Sequence, residues 1–244
     1  VYNIKCIVEY DGTFFYGWQI QPNHRTVQME IEKSLSKMYK QHIKIIGSGR
    51  TDTHVHAYGQ VFNYKTDKHI PENAILRGLN SLLPDDVVIK SVSLVDSNFN
   101  AMCSAVSKTY EYILLNRELP SALYRNYCWH IKYPVKTETL VCYLQKFSGT
   151  HDFTSFCKRQ SLPDNPVRKV NFVQIKKEND FIKITINANG FLHNMVRNII
   201  GTSLYLYQKK YPANAVETII NAKNREQAGP TAPAHGLYLK EVVY

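Results

Sequence analysis

Tyr2, Ile4, Cys6, Val8 and Tyr10 alternate with Asn3, Lys5 and Glu9. That period of two predicts a half-buried strand, and Asp11-Gly12 ends it. Val27, Ile31, Leu35 and Met38 then recur at helical spacing behind Thr26, which predicts a helix with a threonine N-cap. Ile43 to Ile46 reads as a short strand running into a glycine loop, and Gln60 to Tyr64 as another strand. Pro71 suits a first helical position, and Ile75, Leu76, Leu79, Leu82 and Leu83 make the apolar stripe that follows it. Val87 to Val95 closes this half as a strand.

The remainder repeats the same alternation of strands and single helices. Thr109 to Leu115 is strand-like, and Leu140, Val141, Leu144 and Phe147 mark a helix. Arg168 to Lys176 and Phe181 to Asn189 predict two strands joined by the turn Lys177-Glu178-Asn179-Asp180. Leu192 to Tyr207 predicts a helix, a further helix opens at Pro212, and Leu237 to Val243 ends as a strand. Hairpin-like pairs among single helices imply an α+β fold, with antiparallel strands and helices on one face of the sheet. The two parts read as rough duplicates, residues 1–105 and 106–244. No Pro/Gly/Ser-rich linker separates them, so they are expected to share one sheet or pack tightly.

The chain's 244 residues are 44% hydrophobic, enough for a sizeable core. Its 30 Lys+Arg against 20 Asp+Glu give a formal net charge of +10, which favours polyanions such as RNA, DNA or an acidic membrane face. Seventeen tyrosines and ten phenylalanines tilt that choice toward RNA, whose unstacked bases pack on aromatic rings. Cys6, Cys103, Cys128, Cys142 and Cys157 are odd in number and include no C-x-x-C pair, which speaks against a zinc site or disulfide framework and for a reducing, cytoplasmic setting. No apolar run approaches the ~20 residues of a membrane span, and the start of the chain has no signal-peptide pattern.

Four places carry groups that do chemistry. Gly47-Ser48-Gly49-Arg50-Thr51-Asp52-Thr53-His54-Val55-His56-Ala57 sets a carboxylate beside a cation on a glycine-containing loop between two apolar strands. Asp52 there is either a nucleophile or half of a loop-pinning pair with Arg50. His54 and His56, two apart, would share one face of a strand, as metal ligands do, but no cysteine or second acidic residue completes a set. They are expected to be polar residues of the loop or the core rim. Tyr110 and Tyr112 share one face of the following strand-like segment, and one of them could offer its ring to a base while Tyr112 fits the core. His193 and Arg197 stand four apart on the border of a helical face formed by Leu192, Met195, Val196 and Ile199. Arg197 there suits either phosphate binding or a structural salt bridge. Arg25, Lys108, Arg125, Lys158, Arg159, Arg168 and Lys169 are consistent with a sequence-tolerant phosphate groove.

Several segments, in order and nearly end to end, resemble the TruA-type tRNA pseudouridine synthases. Tyr10-Asp11-Gly12-Thr13 with Gly17-Trp18-Gln19 resembles that family's N-terminal signature, and Thr26-Val27-Gln28 its helix start. Gly49-Arg50-Thr51-Asp52 with Val55-His56-Ala57 resembles its catalytic loop. Phe99-Asn100-Ala101 with Tyr110-Glu111-Tyr112, His151-Asp152-Phe153 with Ser155-Phe156, Phe191-Leu192-His193 with Met195-Val196-Arg197, and Thr231-Ala232-Pro233-Ala234 with Gly236-Leu237 complete the series. Two departures stand out. Thr53-His54 replaces the family's usual Ala-Gly or Thr-Gly, so His54 must take any positive φ needed there, and Met102 stands where a cation is usual.

The resemblance implies an isomerase that turns uridine into pseudouridine in the anticodon stem-loop, at positions 38 to 40 of tRNA. It assigns Asp52 as nucleophile, Tyr110 as the ring stacked on the target uracil, Arg50 as the arginine paired with the aspartate and helping to hold the base out, and Arg197 as a cleft arginine near the carboxylate. It further implies two similar halves sharing a central mixed sheet with the active cleft between them, a homodimer, and no metal or organic cofactor. Two other readings compete: a non-catalytic RNA-binding protein, and a metal-dependent hydrolase built on His54 and His56.

Overall fold

The computed structural model describes residues 1–244, which divide into two compact units: Val1–Val106 with Tyr238–Tyr244, and Ser107–Leu237. In the first, β1 (Tyr2–Tyr10) is the alternating strand, with Ile4, Cys6, Val8 and Tyr10 all buried. It is followed by α1 (Val27–Tyr39), β2 (Ile46–Gly47), β3 (His56–Thr66), α2 (Glu72–Leu82) and β4 (Val87–Val95). The strand expected over 43–46 shrinks to the two residues of β2, and the one expected over 60–64 extends to the eleven of β3. β3 is buried on both faces over most of its length, its polar His56, Gln60 and Asn63 included.

Thr26 occupies the N-cap of α1 in an extended conformation, but its buried hydroxyl makes no capping bond. The backbone caps the helix instead: Val27 and Gln28 donate their N–H groups to the carbonyls of Gly17 and Trp18, at 3.2 and 3.1 Å. These are orphan donors of a helix start, and using loop carbonyls for them ties residues 17–18 to α1.

In the second unit, β5 (Ser107–Asn116), β6 (Trp129–Ile131), α3 (Thr137–Gln145), β7 (Gly149–Asp152), β8 (Val167–Glu178), β9 (Phe181–Ala188), α4 (Met195–Gln208) and α5 (Ala215–Ala222) follow in order. β10 (Leu237–Val243) ends the chain. The first unit's sheet runs β4-β1-β3-β10, with β2 also on β3, and the second's runs β5-β9-β8-β7, with β6 also on β5. Both are mixed: β10 is parallel to β3 and β6 is parallel to β5, while the other described pairs are antiparallel. With five helices beside them, the α+β class holds. The short β6 and β7 carry no alternation long enough to read from sequence. The β8–β9 hairpin turns through Asn179, whose φ is +54°.

α4 lies hard against the segment 229–232. A Cβ built on Gly201 would sit 1.8 Å from the Pro230 carbonyl oxygen and 3.0 Å from the Ala232 nitrogen. Both contacts are backbone, so neither can swing away. Gly201→Ala is expected to cost about 1–3 kcal/mol through overpacking, a fall in Tm of roughly 5 °C. Thermal denaturation checks this, and an unchanged Tm would refute the close approach.

Candidate active site

The loop carrying Asp52 is pinned at several points. The buried Ser48 hydroxyl donates to Gln60 Oε1 at 2.6 Å, and Gln60 Nε2 donates to the Gly49 carbonyl at 3.0 Å. Thr51 Oγ1 and Tyr10 Oη are 2.7 Å apart, and the Thr51 carbonyl accepts from the Trp18 N–H at 3.1 Å. Burial pushes the Tyr10 phenol far above its ordinary range, outweighing the lowering effect of its bonds to Thr51 and Gln60, so the group stays a neutral hydroxyl. Beyond Asp52, the His54 N–H donates to the Phe15 carbonyl at 3.2 Å, and the Val55 N–H donates to the Asp52 carbonyl at 3.1 Å. The anchors fall on residues 48, 49, 51 and 54, and the side chains of Arg50 and Asp52 lie between them. Asp52 is half-buried and Arg50 is exposed.

Three expectations about this loop meet a definite geometry. His54 does take the positive φ, at +66°, which costs a non-glycine residue about 1–2 kcal/mol. Its Nδ1 lies 2.9 Å from the Thr13 carbonyl oxygen, a bond that offsets part of that strain. The left-handed residue breaks the strand before it starts, so His54 and His56 do not share a face: His54 is exposed in the turn and His56 is buried at the head of β3. Arg50 forms no ion pair with Asp52. Its side chain is held by no partner and is exposed.

Tyr110, Arg197 and His193 belong to the second unit. Tyr110 lies on β5 at 8% exposure with its ring edge-on to Phe191, centroids 5.1 Å apart. Tyr112, on the same face of β5, is fully buried and donates to the Pro233 carbonyl at 2.7 Å, the core role expected of it. Arg197 is half-buried in the first turn of α4. Its Nε donates to the Ala232 carbonyl at 2.8 Å and its guanidinium donates to Asn194 Oδ1 at 3.1 Å, while its own carbonyl accepts from the Ala232 N–H at 3.1 Å. The pairing of His193 with Arg197 on one helical face is corrected. Asn194 adopts a left-handed φ of +63°, so α4 begins at Met195 and His193 falls outside it, bonded to Ser161 Oγ at 2.8 Å.

Not every one of the scattered cations is free to meet a phosphate. Arg25 lies 4.1 Å over the Phe15 ring and makes a two-bond fork with Asp86, at 2.7 and 2.8 Å, so it braces the loop. Burial lowers the Lys108 pKa. Lys158, Arg159 and Lys169 remain exposed, and Met102 is exposed where a cation was missing.

A sequence profile described as tRNA pseudouridine synthase matches residues 6–101 and 144–244. The chain belongs to the tRNA pseudouridine synthase family. It is 44% identical to the tRNA pseudouridine synthase A of Thermoanaerobacter sp. (strain X514), covering 99% of both chains. It is 43% identical to the tRNA pseudouridine synthase A of Geobacillus sp. (strain WCH70), covering 99% of this chain and 98% of that one. Among solved structures, one described as a Cbf5-Nop10-Gar1 complex aligns with a TM-score of 0.38 and 11% identity, over 96% of this chain and 57% of that chain. A likeness that low carries no argument. As a member of the tRNA pseudouridine synthase family the chain is an isomerase.

The sequence motifs contain Tyr10, Trp18 and Ser48, and Gln60 opens an expected strand, but sequence reasoning gave none of the four its role of holding the loop. The profile's span from residue 6 onward takes in all four.

Proposed function

We propose that this isomerase converts uridine to pseudouridine at positions 38 to 40 of the tRNA anticodon stem-loop, with Asp52 as its nucleophile. The observation that carries the reading is the Asp52 loop itself. Anchors at Thr51 and His54 fix the backbone on either side of one half-buried carboxylate. A reacting group held in advance spares the entropy of finding its geometry during the reaction. The uridine N1–C1′ bond breaks, the base turns over, a C5–C1′ bond forms, and the proton on C5 is lost as N1 gains one. No electron or water is consumed. The target must leave the stack, at a cost of a few kcal/mol. Tyr110, by resemblance the stacking ring, offsets part of it. Arg50, exposed and unpaired, is available to hold the flipped nucleotide or the gap it leaves. Arg197, steered by Ala232 and Asn194, supplies a fixed cation. The net charge of +10 provides the sequence-tolerant attraction to phosphates. The protein acts as a homodimer in the cytoplasm on this reading.

The test is tritium release from tRNA carrying 5-tritiated uridine. Release is expected from wild type, and none from a tRNA whose residues 38 to 40 are all cytidine. Silence on tRNA that a known synthase modifies would leave a non-catalytic RNA-binding protein. Undiminished release from the cytidine-substituted tRNA would move the site elsewhere.

A further inference from the structure

His56 is a buried imidazole that the reaction above does not use. It is 2% exposed, at the head of β3, and its ring stacks on Tyr238 with centroids 4.7 Å apart. Its Nδ1 accepts the Gly12 N–H at 3.0 Å and lies 3.1 Å from Asp11 Oδ1. Asp11 Oδ1 in turn accepts from the Thr13 N–H and Oγ1–H, at 2.9 and 2.6 Å, which closes the turn 11–13. That turn leads straight into the residues that grip the Asp52 loop. The Thr13 carbonyl meets the His54 ring, the Phe15 carbonyl takes the His54 N–H, and the Trp18 N–H holds the Thr51 carbonyl. Asp52 thus sits between two anchors supplied by one segment, and the His56 imidazole fastens the root of that segment together with the Asp11 N–H, which donates to the Asp86 carbonyl at 3.0 Å.

We infer that His56 is a positioning residue for Asp52, tying the turn 11–15 to the loop that bears the carboxylate. Nδ1 reaches the turn in either protonation state, and only the unprotonated nitrogen satisfies the Gly12 N–H. Unprotonated, Nδ1 accepts from Gly12; protonated, it donates to Asp11. Without a polar atom there, the buried Gly12 N–H is left unsatisfied, and the turn relieves this only by shifting toward another acceptor. Phe15 and Trp18 would move with it. The inference rests on the reading of Asp52 as nucleophile.

Two variants separate positioning from packing. His56→Phe keeps a ring on Tyr238 and loses the nitrogen; His56→Asn loses the ring and keeps an amide near the position of Nδ1. Positioning predicts that His56→Phe lowers kcat for tritium release about tenfold to a hundredfold, the scale of a ~1 Å misplacement, with the Kd for tRNA within about threefold. His56→Asn then returns to within about threefold of wild-type kcat. A packing role predicts the reverse order. If His56→Phe does not fold, His56→Asn is compared with His56→Ala, and equal kcat values overturn the inference. So does a His56→Phe kcat within about threefold of wild type. Asp52→Asn runs alongside. If it stays active, the nucleophile reading and this one fall together; if it is inactive while His56→Phe behaves as wild type, this inference alone fails.

Discussion

Asp52→Asn is expected to lower tritium release by about 10⁴-fold or more, the scale seen when a nucleophile is removed, while tRNA still binds. The substitution is isosteric, and the bonds at Thr51, at the Asp52 carbonyl and at His54 do not involve the carboxylate. Val55 donates to the backbone carbonyl of residue 52, and the anchors at Thr51 and His54 use other atoms. Affinity for a polyanion comes mostly from phosphate contacts, and removing one negative charge weakens none of them. The Kd for tRNA should therefore stay within about threefold of wild type or tighten. Filter binding and single-turnover release on the same preparation check both halves. Release above about one per cent of wild type would remove Asp52 from the chemistry.

Gly17→Ala is expected to damage both the site and the fold with a single added methyl group. Gly17 has φ of +83°, and a Cβ there would lie 2.6 Å from the Thr51 carbonyl oxygen and 3.1 Å from the Asp52 carbonyl carbon. All of these atoms are backbone. A positive φ costs an alanine about 1 kcal/mol or more, and overpacking adds about 1–3 kcal/mol. The clash is relieved by displacing either Thr51-Asp52 or the residues that cap α1, since the Gly17 carbonyl accepts from Val27. Displacing the carboxylate lowers kcat about a hundredfold, and displacing the cap lowers Tm. Both losses are expected together in thermal denaturation and release assays, with the Kd for tRNA little changed. A Gly17→Ala protein with wild-type kcat and Tm would show that residues 16–18 do not press on the Asp52 loop.

The local code was legible where one element answers to one pattern. β1 reads correctly because its alternate residues face a core and solvent, and α1 and α2 because their apolar stripes recur at helical spacing. The loop bearing Arg50 and Asp52 was legible as a loop because glycine and short polar residues interrupt two apolar runs. What failed was local inference wherever a distant partner supplied the bond. Thr26 should have capped α1 with its hydroxyl, but the carbonyls of Gly17 and Trp18 took the donors first. His193 should have stood on a helix with Arg197, but one left-handed residue moved the helix start past it.

Hydrophobic period, glycine placement and the order of motifs settled the element types, the α+β class and the family of this chain, because each is a property of residues close together. The parallel seat of β10 beside β3 was out of reach of that reading, as were the four-point grip on the Asp52 loop and the contact of His56 with Gly12. Those join residues from 11 to 182 positions apart, and hydrogen bonds have no memory of distance along the chain.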